Sequence, residues 1–193
     1  MLPLLELQRD SRSGHRASGS LQPLCRSIKG MNKYLLLTVV AGGVTILDQI
    51  SKYAVQHMMT LHTPIEVIPG FFNITYIFNP GAAFGLFSNI SETARMIILV
   101  GISLIAFAIL FYMYLKISEK DNLVLIPIAL IIGGALGNLI DRFRFQMVVD
   151  FLDFYWGRFH WPAFNIADAA ITIGTIILVV TILFTEKRHI LNV

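Results

Sequence analysis

The chain has 193 residues, of which 55% are hydrophobic and 14% are charged, and its formal net charge at pH 7 is +3. Soluble domains carry about 25% charged residues, so this composition, with a mean hydropathy of +0.69, excludes a water-soluble globule and predicts one small helical membrane domain. The basic residues collect at the ends of apolar segments, which is typical of membrane topology and lipid headgroup contact, so no nucleic-acid partner is expected.

The first thirty residues differ in composition from the rest. Met1–Gly30 is rich in Arg, Ser, Gly, Gln and Pro, and has no apolar run long enough to cross a bilayer. It is either a targeting segment or a disordered extension ahead of a start at Met31, and the second interpretation is preferred because this composition does not support a core. Cys25, the only cysteine, lies here, so no internal disulfide or cysteine metal cluster is expected.

Four apolar segments are long enough to cross a bilayer as helices, which takes about 20 residues each. The predicted spans cover about residues 34–52, 94–116, 122–142 and 164–184, within a membrane domain at 31–186 that is followed by a cytoplasmic tail at 187–193. Lys and Arg are more frequent on the side of the membrane that holds the two termini and the loop between the second and third spans. This bias predicts that both termini lie in the cytoplasm. No internal repeat is visible, so an inverted-repeat transporter is not favoured.

The first span ends with two opposite charges, Asp48 and Lys52, which are four residues apart and share a helix face. They form either a local ion pair at the membrane interface or a polar brace beneath an active site. Both interpretations remain open at this stage, because charges at helix ends are ordinary.

The polar segment Tyr53–Ser91 is too broken to span a membrane. Phe71–Phe78 is rich in β-branched and aromatic residues, which predicts a strand of a small extramembrane sheet. Asn79, Pro80 and Gly81 form a turn signal, and the apolar run Ala82–Phe87 follows. Asn79 and Gly81 are interpreted as turn residues, and the alternative is that they place backbone groups for a bound peptide by strand addition.

The third span ends in a glycine-rich stretch, Gly133–Asn138, which lets another helix approach closely. No Lys-Ser or Lys-Thr follows it, so a phosphate-binding loop is excluded. Asn138 shares a helix face with Asp141 and Arg142, and the latter two either anchor the helix end or support a site. The segment Asp141–Ala163 is predicted to be the second extramembrane loop.

Two acids, Asp150 and Asp168, are bracketed by apolar residues on both sides. Burial and a neighbouring negative charge both raise the pKa of a carboxyl group, so such a pair is expected to share one proton near neutral pH. One carboxylate then takes a proton from water while the other carboxyl polarises a peptide carbonyl, which suits amide hydrolysis without a cofactor or metal. Asn165 lies three residues before Asp168 and either orients that carboxyl group or contacts substrate.

Other chemistries fit the sequence less well. The scattered histidines His57, His62 and His160 have no ligand spacing to either acid, so no metal site is expected. No nucleophile elbow is present for Ser/His/Asp catalysis. A small proton-linked transporter and a non-catalytic membrane assembly factor remain as alternatives, because buried acids also serve proton transfer.

Five motifs in order resemble those of the lipoprotein signal peptidase family, the bacterial signal peptidase II, and the resemblance covers Met31 to about Phe184. The motifs are Leu47–Lys52, Asn79–Phe84, Gly133–Arg142, Val148–Phe151 and Phe164–Asp168. The resemblance implies an all-α membrane protein with four transmembrane helices, a small periplasmic β-sheet and a periplasmic helical segment. One departure is Pro80, which stands where many relatives have Thr and whose missing N–H removes a backbone donor from the turn.

The resemblance also implies an activity. It implies an aspartyl endopeptidase of the bacterial inner membrane, with its active site at the periplasmic face. Its substrates are diacylglyceryl-modified prolipoproteins, which it cuts just before the lipidated cysteine. Apart from the resemblance, a monomer and contact with membrane phospholipid are expected. Asp150 and Asp168 are the implied catalytic dyad. The implied supporting or substrate-binding residues are Asp48, Lys52, Asn79, Gly81, Gly134, Asn138, Asp141, Arg142, Asn165 and Ala167.

Overall fold

A computed structural model of the chain describes residues 32–81, 90–119 and 121–190, with backbone alone for 185–190. The amino-terminal extension and the run Ala82–Phe87 lie outside the described residues, so the expectations for them stay predictions. The described helices are α1 (Lys33–Met58), α2 (Glu92–Lys116), α3 (Asn122–Phe145) and α4 (Ile166–Ile190). Each contains a segment long and apolar enough to cross a membrane, which in α4 is Ile166–Phe184. The prediction of four apolar helices is therefore confirmed.

The helix ends differ from the predicted ones for local reasons. Helix α1 continues past residue 52 to Met58, and Lys52 is buried within it in an ion pair with Asp48. Helix α4 begins at Ile166 and not at residue 164, because Phe164 pairs with Leu152 as an isolated β-bridge. Helix α3 ends at Phe145, where Gln146 adopts a left-handed conformation with φ of 61° and its N–H caps the helix.

The strands form one antiparallel sheet in the order β1-β2-β3-β4. They are β1 (Ile65–Ile68), β2 (Phe72–Asn79), β3 (Val148–Trp156) and β4 (Phe159–His160). Strand β2 matches the predicted strand, whereas β3 replaces the middle of the predicted loop. The register places Ile77 opposite Asp150 and Asn79 opposite Val148, so the turn after β2 lies beside the candidate catalytic acid.

Helix α3 is the most buried span and the centre of the packing. Its glycines bring α1 and α4 close, as the sequence predicts. A Cβ at Gly134 would overlap the carbonyl oxygen of Ala167 on α4, and one at Gly137 would lie 2.6 Å from Oδ2 of Asp48 on α1. The three helix ends that carry the polar motifs therefore meet at one place. A further helical segment outside the spans is not seen in the described residues and stays a prediction.

Candidate active site

Asp150 lies on β3 with both carboxyl oxygens bound by amide donors. Asn79 Nδ2 donates to Oδ2 at 2.8 Å and Asn165 Nδ2 donates to Oδ1 at 2.7 Å. The side chain is 1% exposed. The turn after β2 fixes Asn79, because its Oδ1 accepts from the N–H of Gly81 at 2.8 Å. Gly81 has a φ of +78°, which favours glycine. The geometry supports the turn interpretation of this motif, and the alternative of strand addition to a bound peptide stays a prediction.

Asp168 lies in the first turn of α4 and forms a capping box with Asn165. Asn165 Oδ1 accepts from the N–H of Asp168 at 2.9 Å, and Asp168 Oδ2 accepts from the N–H of Asn165 at 3.4 Å. Asn138 Nδ2 on α3 donates to Asp168 Oδ1 at 2.7 Å. The helix start therefore sets the orientation of this carboxyl group.

Asn165 joins the two acids through a single side chain. Its Nδ2 donates to Asp150 while its Oδ1 accepts from the backbone of Asp168. The same Nδ2 lies 3.2 Å from Val149 O and 3.2 Å from Asn138 Oδ1, and the residue is fully buried. Of the two roles open for Asn165, the contacts support orientation of the carboxyl groups.

The pKa of Asp150 is raised to about 7, first by burial and then by the negative charge of Asp168, against hydrogen bonds from Asn79 and Asn165 and the charge of Lys52. A raised pKa favours the protonated carboxyl group below about 7 and the carboxylate above it. Asp150 is therefore poised to exchange a proton near neutral pH.

A buried ion cluster, which we call the brace, lies beneath the two acids and consists of Asp48, Lys52 and Asp141. Lys52 Nζ lies 2.8 Å from Asp48 Oδ2 and 2.8 Å from Asp141 Oδ2. All three side chains are at most 2% exposed. Lys52 also donates to Asn138 Oδ1 at 3.1 Å, which turns the Asn138 amide so that its nitrogen faces Asp168. Of the two interpretations of Asp48 and Lys52, the brace is the one the geometry supports.

The remaining predicted site residues pack around the brace. Ala167 is fully buried against Gly134 and its N–H donates to Asp48 Oδ1 at 2.9 Å. Arg142 is half-buried at the end of α3, where Nη1 lies 3.5 Å from Asn138 O. The structure thus brings together every residue of the predicted site. The helix ends, strand β3 and the turn after β2 position these residues.

One contributor was missed by the sequence reasoning. Gln49 Nε2 donates to Asp141 Oδ1 at 2.9 Å and to Gly137 O at 3.1 Å. Its position between Asp48 and Lys52 in the first motif was the available signal. An amide side chain in an apolar span has to find polar partners when it is buried.

The comparisons with known proteins identify the family of this chain. The model of the family described as signal peptidase (SPase) II matches residues 40–184. The chain belongs to the signal peptidase II family. A lipoprotein signal peptidase of Syntrophus aciditrophicus is 47% identical over 80% of this chain and 96% of the relative. One from Geobacter sulfurreducens is 42% identical over 80% of this chain and 96% of the relative.

Two solved bacterial membrane enzymes share the fold. One is 37% identical with a TM-score of 0.68, covering 76% of this chain and 92% of that one. The other is 36% identical with a TM-score of 0.69, covering 79% and 90%. The prediction of a multi-pass membrane peptidase that removes signal peptides from prolipoproteins is confirmed at the level of the signal peptidase II family.

Proposed function

We propose that this signal peptidase is an aspartyl endopeptidase that acts on diacylglyceryl-modified prolipoproteins and cuts just before the lipidated cysteine, with Asp150 and Asp168 as its catalytic dyad. The observation that carries the proposal is the pair of acids tied together through Asn165 at the meeting point of α3, α4 and β3. The proton shared near neutral pH gives the pair an acid and a base at once.

The chemistry follows from that shared proton. The ionised carboxylate takes a proton from a water molecule as the water oxygen forms a bond to the scissile carbonyl carbon. The protonated carboxyl group donates a hydrogen bond to the carbonyl oxygen. It then passes its proton to the leaving amide nitrogen as the carbon–nitrogen bond breaks, and the proton gained from water restores the pair. Asn79, Asn138 and Asn165 hold both carboxyl groups in place for these transfers.

We place the dyad at the periplasmic face of the bacterial inner membrane, with both termini in the cytoplasm and the chain acting as a monomer. Asp168 stands in the first turn of a spanning helix, and Asp150 stands on a strand outside the spans. The acyl chains of a lipidated substrate stay in the bilayer at such a position while the scissile bond meets water. No cofactor or metal takes part in the proposed steps.

The hairpin of β3 and β4 supports a lipid contact on the same side. It exposes Trp156 (86%), Phe159 (70%) and Trp161 (60%) with the exposed cation Arg158 between them. Tryptophans and cations of this kind occur at the headgroup level of membranes. The hairpin ends a few residues before the spanning helix α4 begins at Ile166. We therefore assign membrane phospholipid as its partner.

The hairpin contact is open to a direct optical test, because the chain has 2 tryptophans and both lie on this hairpin. In nanodiscs made with phospholipids brominated near the top of the acyl chain, we expect strong quenching of the intrinsic fluorescence, and weaker quenching from bromines near the chain end. A Trp156→Phe variant leaves Trp161 as the sole reporter. Emission that iodide in the water quenches fully and that bromines do not quench would contradict the assignment.

The proposed activity is tested with purified protein and a prolipoprotein in two forms, with and without the diacylglyceryl group on its cysteine. We expect cleavage of the lipidated form and a rate at least about 100-fold lower for the other form, because the lipid holds the scissile bond at the dyad. Mass spectrometry of the products locates the cut. Well-folded protein that cleaves neither form would contradict the proposal, and a proton-flux assay in vesicles would then test the transporter alternative.

A further inference from the structure

The brace carboxylates bind the backbone immediately before each acid of the dyad. Asp141 Oδ2 accepts from the N–H of Val149 at 3.1 Å, one residue before Asp150. Asp48 Oδ1 accepts from the N–H of Ala167 at 2.9 Å, one residue before Asp168. Hydrogen bonds from N–H groups to a buried carboxylate are short and strong. A change in the distance between the two brace carboxylates would therefore move the backbone next to Asp150 and Asp168.

Two side chains of α1 join these carboxylates. Lys52 contacts Oδ2 of each, but it supplies one positive charge against two negative ones. Gln49 supplies the second link, since its Nε2 lies 2.9 Å from Asp141 Oδ1 and 3.3 Å from Asp48 Oδ2. Among the described residues, Gln49 is the donor to Asp141 Oδ1. A buried carboxylate oxygen without its donor is costly, so the loss of this amide leaves Asp141 held through Oδ2 alone and free to shift.

We propose that Gln49 is a positioning residue for peptide cleavage. It holds the two brace carboxylates at the separation that aligns Asp150 with Asp168. The inference rests on the proposed dyad and extends it to a residue whose hydrogen bonds go to the brace and to α3 and not to either catalytic carboxyl group. Its effect reaches Asp150 through Asp141 and the N–H of Val149.

A simpler role for Gln49 is to pack α1 against α3, because it also donates to Gly137 O at 3.1 Å. Thr45 separates the two roles. It lies one helical turn earlier on α1, and its Oγ1 lies 3.0 Å from Gly133 O on the same helix α3. It touches neither brace carboxylate. Thr45 Oγ1 also lies 2.9 Å from Ala41 O on its own helix, so Thr45→Val weakens the contact between the two helices without changing the brace.

The test compares Gln49→Leu with Thr45→Val in the full chain, in nanodiscs, with lipidated prolipoprotein. Two quantities are measured, kcat and KM, together with the affinity for a lipidated peptide whose scissile amide is replaced by a hydroxyethylene group. This group mimics the tetrahedral intermediate and binds across both carboxyl groups, so its affinity reports their alignment. The same series includes Gln49→Met, an unbranched variant that is used if the leucine variant does not fold.

We expect Gln49→Leu to lower kcat by about 10- to 100-fold, since a misplacement of about 1 Å costs that much. KM should stay within about twofold, and the affinity for the hydroxyethylene peptide should fall by a factor similar to that in kcat. Thr45→Val should keep all three at the wild-type values. The proposal is overturned if the Gln49 and Thr45 variants behave alike, or if kcat falls with no loss of affinity for the mimic. Wild-type turnover in the same assay tests the proposed function separately.

Discussion

Asp150→Asn and Asp168→Asn should each lower kcat on lipidated prolipoprotein by about 10³-fold or more, because an amide neither accepts nor releases the shared proton. The chain should still fold, since an asparagine keeps the shape and one acceptor oxygen. Asp168→Asn is the milder change for the structure. Its Oδ2 receives only the 3.4 Å contact from Asn165 in the described residues, whereas both oxygens of Asp150 accept short bonds.

The measurement is single-turnover cleavage, together with binding of the intact substrate and the melting temperature of each variant. Asp153→Asn is the matched control, because Asp153 lies on the same strand and is buried, but binds His160 and Asn73 and not the dyad. This control should retain wild-type turnover. A variant at either catalytic position that binds substrate and cleaves within tenfold of wild type would show that the dyad is assigned to the wrong acids.

Lys52→Met should lower the free energy of unfolding by about 3–5 kcal/mol, the largest stability effect expected in this chain. Removal of one partner of a buried ion pair leaves an uncompensated charge in a medium of low dielectric constant. Lys52 is the cation paired with both Asp48 and Asp141, and it is 2% exposed. The measurement is reversible unfolding in mixed detergent micelles, followed by circular dichroism.

Lys33→Met on the same helix is the control. Lys33 Nζ donates to the backbone carbonyl oxygens of Leu115 and Ile117, and neither of these acceptors is a carboxylate. Lys33→Met should cost less than Lys52→Met, because the two hydrogen bonds of Lys33 are exposed or partly buried and their loss leaves no buried carboxylate unpaired. Adding Asp48→Asn to Lys52→Met should restore part of the loss by removing one of the two unpaired charges. Equal stability of the Lys52 and Lys33 variants would show that the brace is not held by its ion pairs.

Sequence patterns alone identified the features of this protein that depend on residues close together in the chain. The four spans follow from apolar stretches of a length that matches the bilayer. The strand β2 follows from its β-branched and aromatic residues. Asp150 and Asp168 stood out because an acid between apolar residues is expensive unless it has a role. The five motifs indicated the family, and the glycines of α3 indicated close helix packing.

Tertiary structure alone decided how these parts meet. Strand β3 escaped prediction because most of its residues are buried on both faces, so its sequence lacks the alternation of a half-exposed strand. The sequence left Asp48 and Lys52 as either a local pair or a brace, since the partner that decides it, Asp141, lies on another helix. The link from Gln49 through Asp141 to the backbone beside Asp150 joins α1, α3 and β3. No pattern along one segment contains such a link, because burial and polar satisfaction are set only when the three elements pack together.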